Sequence, residues 1–312
     1  MGTINNKQMG SQDWFQLFIL SVLWGGSYFF IKVILVDLKP FSAVLGRVFI
    51  AAIVLNIIVR ATGQRMPTSL KMWGSFFVMG FLNNLLPFSL IFWGQTQISS
   101  SLASILNATT PVWTVLLAHF LTVDEKMTPS RISGIIFGMI GVVVMIGVDA
   151  LQGLGSNVIA QLIVVGAAIS YACAGIYGKR FKETPAIVTA TGQITATTVM
   201  MIPVVIIFDQ PWSMSIPGLS SWWALLGLAL LSTVLAYIIY FRLLSSAGAT
   251  NLLLVTFLIP VSAILLGTII LGEYLDIQHI IGMGFIGLGL IAIDGRLFEK
   301  IGLRDKMRSE SK

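Results

Sequence analysis

From Trp14 to Asp294 the chain is almost continuously apolar, and its few polar or proline-marked gaps divide it into ten stretches long enough to cross a bilayer. A hydrocarbon core about 30 Å thick needs about 20 apolar residues per helix. Spans are predicted near 14–35, 41–60, 72–93, 98–121, 131–149, 158–178, 186–207, 222–244, 248–271 and 278–294. Backbone polar groups cannot go unpaired in lipid, which leaves helices or a closed barrel, and runs without period-2 alternation exclude the barrel. The expected fold is an all-α polytopic membrane protein. Composition agrees: 10% of residues are charged and mean hydropathy is +0.91, where a soluble domain carries roughly 25% charged residues. The first span is too long for a signal-peptide core and no small-residue cleavage site follows it, so it is expected to be retained. Cys173 stands alone inside a span, which excludes an intramolecular disulfide or a cysteine metal site and leaves it a packing role.

Charge gives the orientation. With ten spans, Lys7, the loop cations Arg60, Arg65, Lys71, Lys126, Arg131, Lys179, Arg180, Lys182 and Arg242, and the tail from Arg296 to Lys312 fall on one side. Only Lys32 and Lys39 fall on the other, and Arg47 lies within a span. Cationic loops stay in the cytoplasm, so both termini are expected there, and the basic tail 298–312 reads as an anchor at that face rather than a nucleic-acid site.

An internal repeat carries the reading from class towards function. The segment SLASILNATTP from Ser101 to Pro111 recurs 149 residues later as TNLLLVTFLIP, from Thr250 to Pro260. Gly134, Phe137 and Gly141 match Gly282, Phe285 and Gly289, and Phe88 and Phe92 match Tyr237 and Phe241. The chain therefore divides into similar halves at 14–150 and 155–297, each with five spans. An odd number of crossings inverts the second half relative to the first, the architecture by which many secondary transporters alternate between inward-open and outward-open states.

On these residues the chain resembles the drug/metabolite transporter superfamily, specifically the ten-span group built of two EamA-type domains that includes bacterial amino-acid and metabolite exporters. The resemblance rests on Trp24-Gly25 followed by Lys32, on Pro40 with Arg47, and on Pro111 with Glu125 and the glycines after it. Their second-half counterparts are Tyr171 with Lys179, Pro185 with Gln193, and Pro260 with Gly272-Glu273. It implies a bacterial inner-membrane carrier with a cavity among spans one to four and six to nine, spans five and ten at the periphery, and transport directed outward.

Candidate substrate-contacting residues follow from polarity at depth. Asn84, Phe88 and Gln95 share one side of the third span, and Thr233, Tyr237 and Leu244 are the matched positions of the eighth. Asn107 stands one turn before Pro111 and Thr256 one turn before Pro260, next to carbonyls that the prolines leave unpaired, so both prolines are candidate hinges. Asn83, Asn84 and Asn107 can equally serve helix–helix hydrogen bonds. Among the aromatics, Trp24, Phe88, Tyr171 and Tyr237 lie deep enough for a cavity, while Tyr28, Trp93, Tyr177 and Tyr240 are assigned to packing or interfacial belts. Arg47 is the only strong charge well inside a span. It can meet a substrate carboxylate, close an outer gate against Asp37, or snorkel to the interface.

The sequence also excludes. Every Asp and Glu lies at a span end, in a loop or in a tail, which argues against proton-coupled exchange of lipophilic cations through a mid-membrane carboxylate. Clustered carboxylates, a His/Cys metal set or a nucleophile paired with a base are lacking, so no enzyme, cofactor or metal is implied. A sensor or scaffold would not need two inverted halves. Glu125 and Glu273 are expected to take free N–H groups of the helix that follows each of them. The glycines of spans five and ten suit close packing within the monomer or a homodimer contact. The expected function is facilitative, alternating-access transport of small amino acids or related metabolites.

Overall fold

A computed structural model of the chain describes residues 9–98, 100–123, 125–146, 157–271 and 276–294. The expectations placed on Lys7, Asp124, Asp149, Gly272-Glu273, the join between the halves and the basic tail lie outside these residues.

Among the described residues every regular element is a helix. In chain order they are α1 (Ser11–Ile34), α2 (Pro40–Ala61), α3 (Leu70–Gly80), a π-helical turn (Phe81–Leu85), α4 (Leu86–Gly94), α5 (Ser100–Asn107), α6 (Thr110–Leu121) and α7 (Pro129–Ile146). There follow α8 (Val158–Gly178), α9 (Ala186–Phe208), α10 (Leu219–Ala229), a second π-helical turn (Leu230–Leu235), α11 (Ala236–Ala247), α12 (Ala249–Leu253), α13 (Val255–Leu271) and α14 (Ile277–Asp294). Seven helical stretches, two of them joined through π turns and one, Leu102–Leu121, interrupted between α5 and α6, are long and apolar enough to span a membrane, and three shorter apolar helices, within α7, α12–α13 and α14, occupy the remaining predicted stretches. Proline at the first position of α2 and of α7 fits a helix start, where the missing N–H has no partner in any case.

The burial pattern is that of a molecule dissolved in lipid. On α2, Phe49, Ile53 and Ile57 recur every fourth residue and are 52%, 47% and 60% exposed. The opposite face buries Arg47, and on α9 the buried side carries Thr189, Gln193 and Thr197. Apolar side chains facing out and hydrogen-bonding groups facing in reverse the soluble arrangement, because unpaired polar groups cost several kcal/mol in hydrocarbon.

Packing places most helices around a common centre and sets one pair aside. α1 contacts α10, α11 and α13; α2 and α3 lie against α9; and α4 and α6 lie against α8. α7 and α14 pack chiefly on each other. Their glycines explain how: a Cβ at Gly141 would sit 2.7 Å from the Gly282 carbonyl oxygen, and one at Gly289 would sit 2.6 Å from that of Gly134. Backbone lies on backbone, so these glycines serve contact within the monomer.

The two π turns occupy matched positions, 81–85 and 230–235, in the third and eighth stretches. Each turn diverts the N–H that would close an α-helical bond and leaves a carbonyl to other donors. The Leu86 N–H bonds Phe81 O, and Leu82 O accepts the Ser170 hydroxyl at 2.7 Å. The Ala236 N–H points to Leu231 and Thr233, and Ser232 O accepts from Arg47 at 3.0 Å. Each turn is thereby tied to a helix of the other half of the sequence.

Candidate functional site

A cavity of about 60 Å³ lies among α1, α2, α4, α5, α8, α11, α12 and α13, so both halves of the sequence build it. Seven of the predicted residues line it: Trp24, Arg47, Phe88, Asn107, Tyr171, Tyr237 and Thr256. Its volume admits a few water molecules, whereas pockets for drug-sized ligands run to about 300–1,000 Å³.

Asn83, Asn84 and Thr233 do not line the cavity but stand behind it and hold residues that do. Asn84 Nδ2 donates to the Tyr237 hydroxyl at 2.7 Å, and that hydroxyl donates to Asn83 O at 3.1 Å. Asn83 Nδ2 donates to Gln193 Oε1 at 3.2 Å, so these asparagines serve helix–helix bonds of the kind their sequence also allowed. Thr233 Oγ1 accepts from Arg47 Nε at 2.7 Å and donates to Leu228 O at 2.9 Å. The π turns make these contacts possible by turning consecutive residues towards two neighbouring helices.

Arg47 is 3% exposed, so it does not snorkel. Its guanidinium carbon lies 3.8 Å from the centre of the Phe88 ring. It does not reach Asp37, whose carboxylate accepts instead from the Ser221 hydroxyl at 2.6 Å and the Gly218 N–H at 2.9 Å, at the start of α10. Those two bonds hold the Asp37 carboxyl below the usual carboxylate range.

Two tyrosines that sequence reasoning left to packing, Tyr28 and Tyr240, also line the cavity. Depth was the available signal: Tyr28 lies one helical turn beyond Trp24, and Tyr240 nearly one turn beyond Tyr237. Trp24, Tyr237 and Tyr240 form a mutual cluster with ring centres 5.6–6.2 Å apart. Asn107 Oδ1 and the Tyr240 hydroxyl are buried without a hydrogen-bond partner among the described residues.

Both proline-bearing stretches are broken. The first breaks at Ala108–Thr109, directly before Pro111, and the Asn107 carbonyl that Pro111 cannot serve accepts the Thr110 hydroxyl at 2.6 Å. The second breaks at Leu254, while Pro260 lies inside α13. Thr256 Oγ1 donates to Leu253 O at 2.9 Å, across that break.

A second cavity, of about 250 Å³, opens at the end of the bundle where α8 and α11 finish and α12 begins. Glu125, in the connection after α6, is buried at its edge. Its carboxylate accepts from Lys179 Nζ at 2.8 Å, from the N–H groups of Ala249 and Thr250 at 3.2 and 3.0 Å, and from the Thr250 hydroxyl. The expectation that Glu125 serves the helix following it in sequence is therefore corrected: it caps α12, whose first N–H groups and positive dipole end attract a carboxylate. Burial alone would raise its pKa, but the Lys179 and Thr250 bonds outweigh burial and hold it below the ordinary carboxylate value. Glu125 is therefore ionised at neutral pH.

Comparison with known proteins agrees with this architecture. The EamA-like transporter family matches the chain twice, over residues 14–147 and 158–293. The uncharacterized transporter YoaV of Bacillus subtilis (strain 168) is 26% identical over 279 residues, which span 87% of this chain and 92% of YoaV. Protein PecM of Dickeya dadantii (strain 3937) is 26% identical over 289 residues, 91% of this chain and 93% of PecM. The uncharacterized inner membrane transporter YedA of Escherichia coli (strain K12) is 24% identical over 281 residues, 89% of each chain. A protein of known crystal structure superimposes with a TM-score of 0.74 over 91% of this chain and 97% of the other, at 19% identity, which shows a shared fold. With two family matches that together cover nearly all of its described helices, the chain belongs to the EamA-like transporter family.

Proposed function

We propose that the protein is a secondary transporter that moves small amino acids or related metabolites across the bacterial inner membrane by alternating access, in the outward direction. The observation that carries this reading is a buried, aromatic and polar cavity to which both halves of the sequence contribute. In this reading all ten apolar stretches cross the membrane, the halves 14–150 and 155–297 are antiparallel, and both termini are cytoplasmic, as the loop cations require. Matched π turns support two related halves, and each half also breaks its proline-bearing stretch, two residues before Pro111 in the first and six before Pro260 in the second. The outward direction follows from the family resemblance.

The mechanism uses the two cavities in turn. The 250 Å³ cavity lies at the end that carries Arg131, Lys179 and Lys182, the cytoplasmic end in this topology. Between it and the central cavity stand Phe241 and Tyr240, whose rings meet edge to face with centres 5.0 Å apart. The Glu125–Lys179 pair ties the connection after α6 to the end of α8 and, through Thr250, to the start of α12. Breaking that tie frees α12 to tilt about the break at Leu254 and opens the cytoplasmic side; Pro111 and Pro260 weaken the ladders along which the two broken stretches bend. No Asp or Glu lines the central cavity among the described residues. Glu125 stays ionised at neutral pH, so the cycle runs without protonation of a cavity carboxylate.

A reversible bridge tests this cycle. In a Cys173→Ala background, Glu125→Cys and Lys179→Cys are joined by a short bis-methanethiosulfonate linker after reconstitution. The unbridged variant has lost the ion pair and sets a lowered baseline; solute exchange is expected to fall from that baseline to zero when the bridge forms and to return to it when a reductant cleaves the bridge. Exchange that continues at full rate through bridged protein would show that this end does not open during transport.

A further inference from the structure

We infer that the central cavity selects its substrate by a carboxylate seated on Arg47, and that the substrate needs no ammonium group. The inference rests on the transport reading above and places its substrate among organic carboxylates with an apolar, planar body, with or without an amino group.

The starting point is a buried charge with no counter-charge. Arg47 lines the cavity, and among the described residues its side chain has two hydrogen bonds, to Thr233 Oγ1 and Ser232 O, and no carboxylate partner. Those bonds occupy the guanidinium edge formed by Nε and Nη2. The end formed by Nη1 and the second Nη2 hydrogen is left for another acceptor, and two parallel N–H donors are the geometry that a carboxylate matches. Both acceptors are neutral, and a ring face beneath a desolvated cation contributes about 2 kcal/mol or more, well short of the cost of burying an isolated charge, so neither Thr233 nor Phe88 replaces an anion. Uncompensated charge at depth in a membrane is costly, and the cost is recovered when an anion arrives.

The rest of the lining decides what the anion carries. Trp24, Tyr237 and Tyr240 offer flat faces and edges to a planar body. Asn107 Oδ1 and the Tyr240 hydroxyl are the unpartnered polar groups, suited to a neutral hydroxyl or amide on the substrate. An aromatic face in a desolvated site attracts a cation by about 2 kcal/mol or more. A cation about 5 Å from Arg47 meets a repulsion of about 3 kcal/mol at an effective dielectric of about 20. That repulsion offsets the aromatic attraction for amines, lipophilic cations and the ammonium of a zwitterion, whereas a carboxylate is attracted by Arg47 outright, so the anion is preferred. The cavity must widen to load such a substrate, which the parting of the two halves supplies.

Three probes with one body separate the possibilities: 3-phenylpropionate, phenylalanine and phenethylamine. Thermal shift of the full-length protein in detergent reads binding, and counterflow in proteoliposomes at pH 7.5 reads transport. For the wild type, 3-phenylpropionate is expected to bind at least as tightly as phenylalanine and at least tenfold more tightly than phenethylamine. Arg47→Gln is expected to lose that ratio and Arg47→Lys to keep part of it. Phenethylamine binding equal to 3-phenylpropionate in the wild type, or an unchanged ratio in Arg47→Gln, overturns the inference; the wild-type comparison stands even if the variants fail to fold. Carboxylate-selective binding without flux of any probe supports Arg47 recognition and contradicts transport, whereas flux without carboxylate preference contradicts Arg47 recognition alone.

Discussion

Gly141→Leu is expected to destabilise the protein by about 3 kcal/mol, at the upper end of what overpacking costs. A Cβ at this position would sit 2.7 Å from the Gly282 carbonyl oxygen and 2.7 Å from the Ile286 amide nitrogen, both backbone atoms of α14. A flexible side chain could rotate away from such an intrusion; a helix backbone cannot, so α7 and α14 must separate along their shared face. Each is packed chiefly on the other, so little else holds α14 against the bundle. The control lies on the facing helix, α14: a Cβ at Gly284 or Gly287 meets nothing within 4 Å. Gly284→Leu should leave stability unchanged or raise it, because leucine is a better helix former than glycine by up to about 1 kcal/mol. Thermal unfolding in detergent separates the two, and equal losses at Gly141 and Gly284 would mean that the α7–α14 contact is not the one described.

Glu125→Ala is expected to cost about 2–4 kcal/mol and to slow solute exchange strongly. The substitution removes the partner of Lys179, the acceptor for two N–H groups of α12 and the acceptor for the Thr250 hydroxyl. Losing one member of a fully buried ion pair costs about 3–5 kcal/mol, discounted here because the Lys179 side chain is 24% exposed to solvent. Removing a helix cap adds about 1 kcal/mol. Glu125→Gln keeps one acceptor oxygen for α12 and should fall between alanine and the wild type. The pH dependence has a definite sign. A carboxyl whose pKa is lowered by folding contributes stability that is complete above its unfolded value, about 4.3, and is lost as pH falls through the folded value. The stability gap between the wild type and Glu125→Gln should therefore be constant from pH 6 to 8 and narrow only below about pH 4.5. A gap that changes across neutral pH would mean that Glu125 titrates there and would make it a candidate for proton coupling.

What was legible in the sequence divides along physical lines. Hydropathy located the helices because each needs about 20 apolar residues to cross lipid, and that signal survives any detail of packing. Arg47 was legible as a site candidate because a strong charge inside an apolar run is costly and persists chiefly where it has something to bind. The π turns were not legible: one extra residue in a turn leaves hydropathy unchanged, yet it decides that Asn83 and Asn84 face α9 and α11 rather than the cavity. Tyr28 and Tyr240 were missed because aromatic hydroxyls occur both at interfaces and in cavities, and composition cannot tell the two apart. Glu125 shows the limit most clearly. Its acidity and loop position pointed to helix capping, but the helix it caps begins 124 residues further along the chain, and only the fold brings the two together.

Counterflow in proteoliposomes tests the central claim most directly: purified protein, a radiolabelled panel of amino acids and other organic carboxylates, a sugar, a nucleoside and a lipophilic cation, with and without an imposed pH gradient. The account predicts saturable exchange of a carboxylate-bearing solute that needs no gradient. Flux confined to the lipophilic cation and driven by the gradient, or no flux from protein that remains folded and inserted, would contradict it.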